Sequence, residues 1–169
     1  MKRLPILQVL VKILFVLCII VVFFGLPFII SLAFFPGRIP FKINNEPVTN
    51  ITTEVLLLML ITYVGHCFFT YAIYLFKQTL FLFSKKVIFD HRIIKFLDQT
   101  GKALLIAAVL WIIPPFVLKT IYEGNMSLGL SFEGFDSGLY TISLGLFFMV
   151  LSEVFLIAKN IKEENDLTV

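Results

Sequence analysis

Residues 13–35 contain no charged side chain over 23 positions. About 20 apolar residues suffice to cross the ~30 Å hydrocarbon layer of a bilayer. A backbone held there must satisfy its own N–H and C=O groups, and a single segment does so only as a helix. Three further apolar stretches follow at 55–76, 103–118 and 138–158, and these four predict an all-α integral membrane protein, a four-transmembrane-helix bundle forming one domain over 1–169.

Composition agrees. Of the 169 residues, 59% are hydrophobic and 15% charged, against 45–50% and ~25% in ordinary soluble domains. That balance argues against a soluble enzyme, a disordered tail and a nucleic-acid-binding domain. The first apolar run also exceeds the ~7 to 15 residues of a secretory signal core, so it is read as a retained span. Once the four spans are placed, the connecting segments are too short for a separate soluble domain.

Lysine and arginine retained in the cytoplasm set the orientation of such proteins. The N-terminal segment carries Lys2, Arg3 and Lys12, the segment 77–102 carries six basic residues, and the tail 159–169 carries Lys159 and Lys162, giving 11 of the 14. Arg38, Lys42 and Lys119 are the 3 on the other side. Both termini are therefore expected to be cytoplasmic.

The loop 36–54 alternates apolar and polar residues through Ile39, Phe41, Ile43, Val48 and Ile51, which predicts a short hairpin on the membrane surface. In the inner segment, Asp90 is a helix N-cap residue, and Ile93, Phe96 and Leu97 share one helical face. The pattern predicts an amphipathic helix over about 90–101. Its basic residues would meet anionic headgroups while its apolar face lies at the interface, or the helix would dock a cytosolic partner. In the docking reading the contact residues are Asp90, Arg92 and Lys95, with Lys159, Glu163, Glu164, Asn165 and Asp166 of the tail.

Ionisable groups at membrane depth are costly and so draw a functional reading. Glu153 lies roughly 8 Å from the inner end of the fourth span, within expected reach of Lys12 and Lys102 as ion-pair partners. His66 sits mid-span in a series at steps of four, Thr62, His66, Thr70 and Tyr74. Such a stripe serves interhelical hydrogen bonds or lines a cavity where His66 responds to protonation or a ligand. Gly138, Gly145 and Ser152 recur every seven residues, a spacing for close helix approach, and Glu153 at their edge is expected to point into the bundle. Cys18 and Cys67 fall inside spans and read as small apolar residues. The sequence has no nucleophile–base spacing, Gly-rich phosphate loop or His-Glu-x-x-His, so no enzyme activity, cofactor or metal is expected.

The chain's end, Gly145-Leu-Phe-Phe-Met-Val-Leu-Ser-Glu153 through Lys159 to Glu163-Glu164-Asn165-Asp166-Leu167-Thr168-Val169, resembles the C-terminal signature of a bacterial membrane family, domain of unknown function 2975. Residues 87–101 are similar to that family's inner loop, with Ile88 where the family has proline and Asp90 where it has a hydroxyl residue. The resemblance implies a small four-helix protein of the bacterial inner membrane, often encoded beside a helix-turn-helix transcription factor. It implies a regulatory pair in which the membrane protein holds or releases the regulator. The partners then expected are the lipid bilayer and that cytosolic regulator, with self-association left open and no direct contact to nucleic acid. The alternatives are a small transporter or ion-handling protein using His66, Thr62, Thr70 and Glu153, and a scaffold subunit of a membrane complex.

Overall fold

The structure is a computed structural model that describes residues 3–35, 42–43, 46–47, 53–85, 89–123 and 132–167. Four long helices dominate it: α1 (Leu4–Phe34), α2 (Thr53–Ser84), α3 (His91–Glu123) and α4 (Phe132–Leu167). All four are long and apolar enough to cross a membrane. Between α1 and α2, strands β1 (Lys42–Ile43) and β2 (Glu46–Pro47) pair antiparallel, so the expected short hairpin is present among the described residues of that segment.

Every helix is longer than its apolar stretch, and the reason is local chemistry. Within segment 77–102, which its charges place between two spans, residues 77–84 are the last turns of α2 and residues 91–102 the first turns of α3. Asp90 caps α3, its Oδ1 accepting the Arg92 backbone N–H at 2.8 Å. Lys102 reaches back one turn to Asp98 at 2.7 Å, and Lys159 reaches forward one turn to Glu163 at 3.5 Å. These pairs sit at the spacing that supports an exposed helix. At 1.5 Å per residue the 36 residues of α4 span about 54 Å.

Neighbouring helices run antiparallel, so the N-termini of α1 and α3 and the C-termini of α2 and α4 share one end, called here the basic end. Helix α3 is central, packing on both α2 and α4, whereas α1 packs on α2 alone. The main core joins Ala72 and Leu82 of α2, Ile93, Leu97, Ala103 and Leu104 of α3, and Phe148 of α4. Phenylalanines seven residues apart close the remaining side: Phe76 meets Phe148 at 5.0 Å between ring centroids and Phe83 meets Phe155 at 5.6 Å. Equal spacing on both helices means α2 and α4 run parallel.

The seven-residue stripe of α4 is its seat on α3. A Cβ on Gly145 would lie 3.0 Å from the Gly101 carbonyl oxygen and one on Gly138 2.5 Å from the Ile112 side chain. One turn pair further, Ser152 Oγ donates to the Ile94 carbonyl at 2.8 Å. The stripe is thus spent inside the chain and is not free as an interface for a larger complex.

The amphipathic helix expected over 90–101 forms as the first turns of α3, but its apolar face does not lie at a membrane interface: Ile93 and Leu97 are buried at 0% and 1% exposure. Its apolar face packs against α2 and α4, leaving only its polar face outside.

Candidate functional site

The polar residues of α2 do not form one wall. Steps of four on a 3.6-residue helix advance about 40° each, so Thr62 and Tyr74 diverge by about 120°. His66 faces α3, its ring 4.9 Å from that of Trp111, while Tyr74 faces α1, 5.9 Å from Phe15. Both hydroxyls donate within their own helix, Thr62 Oγ1 to the Leu58 carbonyl at 3.0 Å and Thr70 Oγ1 to the His66 carbonyl at 2.8 Å, while Thr70 also meets the Cys18 side chain of α1.

His66 Nδ1 has two competing neighbours, the Thr62 carbonyl at 2.9 Å and Trp111 Nε1 at 3.2 Å. A protonated Nδ1 donates to the carbonyl, and an unprotonated one accepts from the indole N–H; one nitrogen does only one of these at a time. The indole fits because position 65 is glycine, where a Cβ would meet the Trp111 ring at 2.8 Å. Phe69 completes the cluster at 5.1 Å from the same ring. Sequence reading found His66 but not its partner, since a lone tryptophan 45 positions away carries no spacing signal.

The basic end holds the other candidates. Arg92 clamps the carboxylate of Asp90 through Nε at 3.1 and 3.0 Å and Nη2 at 2.6 Å. The side-chain and backbone hydrogen bonds from Arg92 hold the Asp90 carboxyl down at about 2, below its ordinary 3.8. Between α3 and α4 a cleft of about 360 Å³ is lined by His91, Lys95, Asp98 and Glu153 above Ile94, Ser152 and Leu156.

Glu153 is exposed in this cleft and does not point into the bundle. The reason is rotational: Ser152 holds the α3-facing position, and the next residue lies about 100° further round the helix. Neither expected partner pairs with it among the described residues. Lys102 is taken by Asp98, and Lys12 lies between α1 and α2. The tail is also corrected in form, because α4 continues as helix to Leu167 with Glu163, Glu164, Asn165 and Asp166 exposed. Lys162 Nζ lies 5.2 Å from the Phe89 ring centroid and so links this extension to the start of α3. Of the sequence-derived residues, Lys95 and Glu153 are brought to one cleft, with Asp90, Arg92 and Lys159 elsewhere on the same end. Thr62, His66 and Thr70 stand apart from them.

Among the described residues, no three His, Cys, Asp or Glu side chains gather as a metal-ligand cluster. The family model for a protein of unknown function, DUF2975, matches residues 40–169. The chain belongs to this family. No curated protein and no solved structure matches it. The DUF2975 match takes in α2, α3 and α4, the three helices that share the main core, and starts after α1.

Proposed function

We propose that this chain is a four-span protein of the bacterial inner membrane, with both termini cytoplasmic, that binds a cytosolic protein at its basic end. The observation that carries the reading is the exposed helical extension of α4 to Leu167, standing beside the charged α3–α4 cleft. A surface that mixes Lys95, Asp98, Glu153, Lys159 and Glu163 suits a polar protein partner, since charge complementarity gives specificity more than affinity. The orientation rests on the 11-to-3 distribution of basic residues. The partner class, a helix-turn-helix regulator, follows from the family resemblance, and the reading makes the protein a membrane-held regulator without enzymatic activity.

Conduction through His66, Thr62, Thr70 and Glu153 has less support, because both threonine hydroxyls bond their own helix and Glu153 lies outside the bundle. Crosslinking in native membranes, comparing the full chain with a truncation before Lys159, tests the binding proposal. Capture of a helix-turn-helix protein by the full chain alone is the expected result. Identical capture by both forms, or capture of no soluble protein, overturns it.

A further inference from the structure

Lys12 immediately precedes the apolar stretch of α1, and Lys77 immediately follows that of α2. The antiparallel pairing of these helices brings both lysines into one groove of about 500 Å³. Gln78 adds an amide to the polar side, Phe15, Val16 and Phe81 supply apolar walls, and no carboxylate is among the lining residues. Elsewhere at the basic end, Arg92, Lys102 and Lys159 each hold a carboxylate. Among the described residues Lys12 and Lys77 hold none.

Aromatic rings keep the cations at the groove. The Lys77 ammonium lies 4.1 Å from the Phe15 ring centroid, and Lys85, outside the lining, lies 4.5 Å from the centroid of the lining residue Phe81. Gln8 Nε2 donates to the Leu80 carbonyl at 2.8 Å and fixes the two helices at this level. The apolar walls continue into the exposed outer face of α1, where Ile13, Val16 and Ile20 are about half exposed.

We propose that this groove binds the headgroup phosphate of an anionic glycerophospholipid, with Lys12 and Lys77 on the phosphate and an acyl chain along Phe15, Val16 and the α1 face. Basic pockets between spans on the cytoplasmic side take such headgroups, and a lysine ammonium is a compact phosphate donor. Two unpaired cations beside an apolar wall fit a ligand that is anionic at one end and apolar at the other. The inference rests on the reading that α1 and α2 cross a membrane, with these lysines at headgroup depth.

The test is native mass spectrometry of the detergent-purified full chain titrated with phosphatidylglycerol, phosphatidylcholine or inorganic phosphate. The wild type is expected to retain phosphatidylglycerol over phosphatidylcholine, and the Lys12→Gln/Lys77→Gln double variant to bind it about 30-fold more weakly, at ~1 kcal/mol per lysine. Lys102→Gln should bind as wild type does, and Lys12→Arg/Lys77→Arg, which keeps both charges, should retain the lipid. Equal adducts with the two lipids, an equal loss in Lys102→Gln, or displacement of the lipid by millimolar inorganic phosphate each overturns the proposal. Carbonate extraction of cell membranes separates this failure from that of the underlying reading: a chain absent from the membrane pellet does not span, whatever the lipid result.

Discussion

Helices α1 and α3 are about equally long, and they are opposites in composition and burial. The most apolar stretch of α1 exceeds those of the other three helices in hydropathy and has none of its residues buried, whereas that of α3 is the least apolar and the most buried. The two other helices fall between them in the same inverse order. Water as solvent would impose the reverse, because exposing apolar surface to it costs roughly 25 cal/mol per Å². In lipid, helices associate through small residues and close packing and not through apolar character. Helix α3 supplies such residues in Thr100, Gly101, Ala103, Ala107 and Ala108, all buried.

The largest expected effect breaks the comparison at α1. Ile20 is 46% exposed, and on a water-facing helix Ile20→Lys would be harmless. At the centre of a span it should cost about 3 kcal/mol of insertion, read as loss of the full chain from the membrane fraction. Next, Gly101→Ala places a Cβ 2.5 Å from the Gly145 carbonyl oxygen, where backbone must yield. It should lower stability by about 1–3 kcal/mol in thermal unfolding in detergent, while Ile20→Leu, also on α1, should change it by less than about 0.5 kcal/mol.

The α1–α3 contrast was half legible in the sequence. Four long apolar runs, with Glu153 their one charged side chain, predict four spans because lipid tolerates few charges. The Gly138, Gly145 and Ser152 spacing predicted the α4 seat because a heptad returns each residue to nearly one face. Burial rank was not legible, since lipid and protein interior favour the same apolar side chains. Polar residues at 77–84 and 159–167 read as loop and tail because their helix is held by packing and ion pairs, not by apolar runs, whereas the Asp90 cap and the spacing of Ile93, Phe96 and Leu97 did mark 90–101 as helix. Glu153 was misplaced by a single residue of rotation. Tyr63, whose hydroxyl donates to the Val22 carbonyl at 3.1 Å over Gly25, showed no signal at all.

The same contrast can be sharpened by deleting one hydrogen bond at each site. Ser152→Ala removes a buried bond between α4 and α3 and should cost about 1 kcal/mol. Tyr63→Phe removes a half-buried one between α2 and α1 and should cost about 0.6 kcal/mol. Thermal unfolding in detergent compares the two, and equal losses would show α1 to be as firmly held as α4. The smallest effect is at Asp90. Its carboxyl is depressed to about 2 from 3.8, so its contribution is fully present above pH 3.8 and is lost as pH falls through about 2. Hydrogen exchange of the first-turn amides of α3 should quicken over that range in the wild type, and Asp90→Asn should flatten the dependence.

Helix α4 runs from Phe132 to Leu167 without a proline, which makes it a lever as well as a helix long enough to cross a membrane. A tilt of about 5° over its ~54 Å length moves the far end by about 5 Å. A twist at one end turns the other through the same angle. Because Ser152 and Gly145 seat this rod on α3, strain at its Phe132 end would reach the charged cleft as displacement, with no joint between them to absorb it.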